Sequence, residues 1–266
     1  MNTRIVIGQY YPVSSRVHSL DARVKLLSVM AFIIVLFFIT SFSGYFFAAG
    51  CVALLVRSSK VPPRFLFRGL RSILFIMVFT AVLNVFFTTG ETVFKFYFLN
   101  ITYEGLVLAG KMAMRLSLLI VGSSVLTLTT SPTQLTDAIE FLMKPLKKIR
   151  VPSHEIAMMM TIALRYIPIL IEEAEKIMKA QMARGADFDT GGIMKKAKSL
   201  IPLLVPLFIS AWRRAEDLAL AMEARCYRGD IGRTRMKRME LVKNDYAAMS
   251  VMAVFVAALL AINLVF

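Results

Sequence analysis

Apolar residues in this chain gather into long unbroken runs. Four of them, near 26–42, 72–88, 106–128 and 246–266, approach or exceed the roughly 17–25 residues that a helix needs to cross about 30 Å of hydrocarbon. A shorter run, GYFFAAGCVALLV at 44–56, follows the first after only SFSG. The two predict a tight helical hairpin whose second member is tilted or short. The pattern therefore predicts an all-α membrane protein with about five transmembrane helices, four of them within 1–130 and the last within 246–266.

Residues 131–245 have a different texture. SPTQLTDAIEFLMKPLKKIRVP opens on a capping signature at Ser131 and places Leu135, Ile139, Leu142, Met143 and Leu146 at helical spacing. A short amphipathic helix broken at Pro145 is expected. SHEIAMMMTIALRYIPILIEEAEKIMKAQMARG predicts one long helix with Ser153 as N-cap, a kink near Pro168 and Gly185 at C′. KSLIPLLVPLFISAWRRAEDLALAMEARCYRG repeats that plan: it carries Pro202 and Pro206, turns polar at Arg213 and is expected to end at Gly229. Both begin apolar and finish charged. Prolines and Arg165 interrupt the apolar halves, which favours packing against other helices at the membrane boundary over a clean crossing.

Composition agrees with a membrane protein: 58% of the 266 residues are hydrophobic, with 17 Met and 20 Phe, and the mean hydropathy is +0.67. The net charge of +15 then asks for a reason. Arg4, Arg16, Arg23 and Lys25 precede the first run, and Arg57, Lys60, Arg64, Arg68 and Arg71 lie in the second loop without an acid among them. Cytoplasmic loops of membrane proteins collect such charge. The expected topology puts the N-terminus and residues 131–245 in the cytoplasm and the C-terminus outside, and the basic excess needs no nucleic-acid partner. The polar start without a small-x-small cleavage site predicts a retained first span. Cys51 and Cys226 are too few and too far apart for a disulfide framework or a CxxC site.

Several local patterns lead nowhere chemically. Gly105, Gly110 and Lys111 fit GxxxxGK, but Met112 stands where a phosphate loop needs Ser or Thr for magnesium. Gly105 and Gly110 read instead as aids to helix packing. His154-Glu155 lacks the second His of a zinc helix, and His18 is isolated. With no nucleophile elbow and no carboxylate cluster in a span, a catalytic chain is not expected. Asn84, Lys111 and Arg115 are polar groups within runs and so candidates for packing or for contact with a solute.

One pattern is repeated. AEKIMKAQMARG at 174–185 and AEDLALAMEARC at 215–226 share the skeleton AE-x4-A-x2-AR, with Ala180 and Ala183, like Ala221 and Ala224, on one helix face where small side chains admit a close neighbour. An arginine in a last helical turn complements the helix dipole. Two in matching contexts suggest a paired role.

Together with TSPTQLTDAIEFLMKPL, these helices resemble the signature region of the transmembrane T component of energy-coupling factor transporters, the prokaryotic importers of vitamins and trace metals. The resemblance covers most of 127–235. It implies that 131–245 is a coupling domain in the cell membrane's cytoplasmic zone, with Ala183, Arg184, Gly185 and Ala224, Arg225, Cys226 as docking motifs for two ATP-binding-cassette ATPase subunits. Cys226 departs from the Gly or Ser usual in the family at that place. ATP and magnesium would reside on those ATPases and no cofactor on this chain. A membrane-embedded substrate-binding S component would be the third partner, touching Met158, Met159 and Met160 and the apolar stretch 200–209, with Pro168, Pro202 and Pro206 as hinges. In such an importer the S component, not this chain, chooses the substrate. The rival expectation is a self-contained secondary transporter that binds an anion at Lys111 and Arg115.

Overall fold

The computed structural model describes residues 10–96, 99–186, 188, 192–229 and 240–265. Packing divides the chain into two units, 1–138 with 237–266, and 139–236. The first holds helices α1 (Ala22–Phe38), α2 (Phe42–Ser59), α3 (Pro63–Phe87) and α4 (Tyr103–Thr129), a short hairpin of β1 (Thr92–Phe96) and β2 (Leu99–Thr102), and the last helix, α8 (Lys243–Val265). The remaining elements, between α4 and α8 in the chain, are α5 (Pro132–Met143), a 3-10 turn (Lys144–Ile149), α6 (Ser153–Ala183) and α7 (Ile193–Ala224). The fold is that of an all-α membrane protein.

The five expected spans are α1 to α4 and α8. α2, α4, α6 and α8 are each long and apolar enough to cross a membrane, and α3 is so when its two parts, bent by 52° about Ser72, are taken as one span. α1, with 17 residues, reaches only about 25 Å at 1.5 Å per residue. α3 starts well before the expected residue 72, because Pro63 at its first turn has no N–H to leave unsatisfied and a backbone angle already set for helix. The stretch between the apolar runs 72–88 and 106–128 contains the antiparallel hairpin, with Thr92 opposite Thr102 and Phe96 opposite Leu99.

Side-chain ties fix the directions of the helices in the first unit. The Asp21 N–H donates to Asp245 Oδ1 at 2.8 Å, joining the starts of α1 and α8. Asn263 Nδ2 donates to the Phe38 carbonyl and its Oδ1 accepts from Thr40, joining their ends, so the two helices run parallel. Lys25, only 7% exposed, donates to the Thr129 carbonyl at 3.0 Å and the His18 carbonyl at 3.1 Å, which brings the end of α4 beside the start of α1. These contacts, with short turns between α1, α2 and α3, describe helices that pass back and forth.

The core of this unit joins Phe32, Leu36, Ile39, Tyr45, Leu118 and Leu259 from α1, α2, α4 and α8. Its periphery is inverted relative to a water-soluble domain: Phe75, Phe87, Val251 and Leu264 are 78, 80, 68 and 87% exposed. Contiguous apolar surface of this kind belongs against lipid or another protein. α3 and α4 approach closely at Gly105, where a Cβ would stand 2.8 Å from the Asn84 carbonyl oxygen. Gly110 has no such neighbour, only the Phe42 ring at 3.9 Å from a built Cβ.

Candidate functional site

α6 and α7 make up most of the second unit, and the repeated skeleton forms their C-terminal turns. α6 is a continuous helix through Pro168, and α7 is continuous through Pro202 and Pro206. α6 begins at Ser153 with Pro152 in the cap position and no side-chain capping bond, so Ser153 is the first helical residue rather than the N-cap. Ser131 does cap as expected. Its Oγ accepts from the Gln134 N–H at 3.3 Å while Gln134 Oε1 accepts from the Ser131 N–H at 3.2 Å, a reciprocal capping box ahead of α5.

The two long helices end in the same way. After Ala183, Arg184 is the cap, Gly185 turns left-handed at φ +87°, its N–H reaches the Met182 carbonyl at 3.0 Å, and the Ala186 N–H reaches back to Gln181 at 2.9 Å. After Ala224, Arg225 is the cap, Cys226 turns left-handed at φ +54°, its N–H reaches the Glu223 carbonyl at 2.8 Å, and the Tyr227 N–H reaches back to Met222 at 3.1 Å. Both are Schellman turns, bond for bond. The end of α7 is therefore at Ala224, not at Gly229 as expected. Gly229 is left-handed too, but it lies beyond the helix.

This geometry settles the effect of the cysteine at the second motif. A non-glycine residue in the left-handed region costs roughly 1–2 kcal/mol, yet the turn is made and Arg225 occupies the same place as Arg184. Ala183, Arg184, Gly185, Ala224, Arg225 and Cys226 are all exposed. Neither arginine side chain has a hydrogen bond or ion pair among the described residues. Each helix tip thus presents a guanidinium fork on a rigid turn, flanked by an alanine that leaves room for a partner surface.

The chain matches the family model described as "CbiQ: Cobalt transport protein" over residues 13–237. It is 54% identical over 246 residues to the Energy-coupling factor transporter transmembrane protein EcfT of Clostridium kluyveri, covering 92% of this chain and 91% of that one. The protein of the same name from Ruminiclostridium cellulolyticum is 51% identical over 262 residues, 98% of each chain. That from Thermosediminibacter oceani is 54% identical over 244 residues, 92% of each. The chain belongs to the family of energy-coupling factor transporter transmembrane proteins. It is accordingly a multi-pass membrane component of a transporter.

Within this energy-coupling factor component, the other singled-out residues are distributed as follows. Met159 is 57% exposed, and Met158 and Met160 beside it on α6 are half-buried. On α7, Ile201, Leu204, Phe208 and Trp212 are exposed by 55, 56, 67 and 59%, an apolar stripe at helical spacing. Lys111 and Arg115 lie within α4. Arg115 donates Nε to the Tyr45 hydroxyl at 2.9 Å and Nη2 to the Ile39 carbonyl at 3.0 Å, and Lys111 stands over the Phe42 ring at 5.4 Å. Both brace the turn between α1 and α2. Asn84 donates to the Thr80 carbonyl of its own helix at 2.8 Å rather than across to a neighbour. His154 pairs with Glu140 at 3.2 Å, and no cluster of metal-binding side chains occurs among the described residues.

One functional group escaped the sequence reading. Glu173 on α6 accepts from the Ser210 hydroxyl of α7 through Oε1, and its Oε2 pairs with Arg214 Nη2 at 2.9 Å. Glu173 stands eleven residues before Arg184, and Arg214 stands eleven before Arg225. The two helices are tied at equivalent points of their shared plan. At 1.5 Å per residue each arginine lies about 16 Å along its helix beyond the tie.

Proposed function

We propose that α6 and α7 are the coupling helices of an ATP-driven importer, and that their two tips dock one each onto two ATP-binding-cassette ATPase subunits. The observation that carries the reading is the matching geometry of the two exposed turns, each closing on an arginine whose side chain has no hydrogen bond or ion pair among the described residues. A pair of similar ATPases offers two similar grooves, and two similar plugs fit them. A guanidinium makes forked hydrogen bonds to carboxylates and carbonyls. The transporter component names of the relatives support the same assignment.

The proposal extends to a membrane-embedded substrate-binding partner that packs against the Met158–Met160 stretch and the apolar stripe of α7. ATP-dependent closure of the ATPases would move the two tips relative to each other, the tie at Glu173 would make α6 and α7 respond as a pair, and Pro168, Pro202 and Pro206 would absorb bending where a backbone hydrogen bond is missing. The chain itself then carries out no catalysis, binds no cofactor and leaves ATP and magnesium to its partners. The basic face of the first unit, with the N-terminus, would lie in the cytoplasm and the C-terminus outside.

The test is co-purification of the full chain with a candidate ATPase pair. Arg184→Ala and Arg225→Ala singly weaken assembly, by about 2–5 kcal/mol each if the docked guanidinium is buried, and the double variant abolishes it. Full assembly of the double variant would sink the proposal.

A further inference from the structure

A cleft of about 850 Å³ opens in the first unit between the segment that precedes α1 and the end of α2. Its cationic lining is Arg16, Arg57 and Lys60. His18 and Ser15 also line it and are occupied with each other, Ser15 Oγ lying 2.7 Å from His18 Nδ1 while Nε2 meets the Tyr11 carbonyl at 3.0 Å. The Ser19 and Ser58 hydroxyls donate to the Arg16 and Leu54 carbonyls. The donors left to face a ligand are the two guanidiniums, the Lys60 ammonium and the Ser14 hydroxyl. None of the three cations has an ion pair among the described residues. Asp21 is the one acid in the first 90 residues, and it is paired with Arg23 at 2.7 Å.

A concave site with three cations and no carboxylate suits an oxyanion, and a phosphoryl group matches its guanidinium forks and compact ammonium. What surrounds it selects the carrier. Ser58 lines the cleft, and Leu54, four residues earlier on the same helix face, is 66% exposed, with Leu55 at 44%. Apolar helix surface thus rises directly from the cationic pocket. We infer that this cleft holds the phosphoryl headgroup of an anionic phospholipid, with its acyl chains lying along the exposed leucines of α2. The site is separate from the helix tips and does not depend on their role. It would seat the N-terminal segment against the membrane surface and fix the depth at which α2 ends.

The test uses the full-length chain in phosphatidylcholine nanodiscs with graded phosphatidylglycerol, with native mass spectrometry counting retained lipid. Arg57→Gln with Lys60→Asn removes two cations, and Asn is chosen because residue 60 is left-handed at φ +55°, a conformation asparagine tolerates. Selectivity for phosphatidylglycerol should fall about ten- to thirtyfold through loss of direct charge-assisted contacts to one headgroup, while Arg64→Gln with Arg68→Gln, the same charge change outside the cleft, should alter it by less than about threefold because those charges act only through screened surface attraction. Ser14→Tyr, which fills the cleft without altering charge, should reproduce the loss even if the first variant folds poorly. Equal losses in the cleft and control variants would overturn the site in favour of diffuse surface attraction. Saturable binding of inorganic phosphate in phosphatidylcholine alone, competing with phosphatidylglycerol, would overturn the lipid assignment in favour of a soluble anion.

Discussion

Removing the Glu173 carboxylate should loosen the two helix tips relative to each other. Glu173 and Arg214 are 23 and 40% exposed at the side chain, so their ion pair contributes no more than about 0.5–1 kcal/mol. The Ser210 hydroxyl on the same carboxylate adds about 1 kcal/mol. Glu173→Ala therefore weakens the tie by about 1–2 kcal/mol, roughly a tenfold change in the ratio of closed to open arrangements. The tips amplify that change, because each lies about 16 Å beyond the tie: every ~10° of added play moves a tip by about 3 Å. The assay is pulsed electron paramagnetic resonance between labels on Ala183→Cys and the native, exposed Cys226 in a Cys51→Ser background. The distance distribution should broaden by several ångströms in Glu173→Ala and narrow again, in part, when Glu173→Arg is combined with Arg214→Glu. An unchanged distribution in Glu173→Ala would refute the brace.

Other outcomes follow from single contacts. Cys226→Gly should stabilise the end of α7 by about 1 kcal/mol, since glycine takes the left-handed angle without strain, and hydrogen exchange at the Cys226 and Tyr227 amides would report it. Arg115→Met should lower stability in detergent by about 2 kcal/mol through loss of two charge-assisted hydrogen bonds, and Lys111→Met by less; if Arg115→Met leaves the melting temperature unchanged, the bracing role is wrong. Hydrogen bonds from Arg23 hold the Asp21 carboxyl below the usual range, so its contribution is fully present above about pH 4 and is lost as pH falls through the depressed folded value. Melting temperatures across that acid range should fall more steeply for the natural chain than for Asp21→Asn, and parallel curves would contradict the pairing.

The parts of this fold that were legible in sequence are those lipid makes unambiguous. An apolar run in hydrocarbon has little choice but helix, and α1 to α4 and α8 follow. Their boundaries were less legible: α3 extends into RSSKVPPRFLFRGLR because a proline pair starts a helix well even where arginines follow. The hairpin at 92–102 had no turn signal to announce it. At the site, the Ala-Arg repeat located both tips, but the preference for glycine at C′ drew the expected end of α7 to Gly229. Local backbone bonds at Cys226 and Tyr227 hold the left-handed turn three residues earlier. The Glu173–Arg214 tie was hidden for another reason, since an ion pair between long helices depends on their packing register. Its one sequence trace is an opposite charge at the same offset before each Arg.

The proposed coupling role requires each arginine tip to enter a separate ATPase subunit. A photoreactive phenylalanine placed singly at Ala183 and at Ala224, in the full chain mixed with a candidate ATPase pair, tests it most directly. Each position should capture an ATPase subunit, and Arg184→Ala or Arg225→Ala should reduce capture chiefly at the adjoining position. Capture of lipid only, or of the same products regardless of either arginine, would contradict that role.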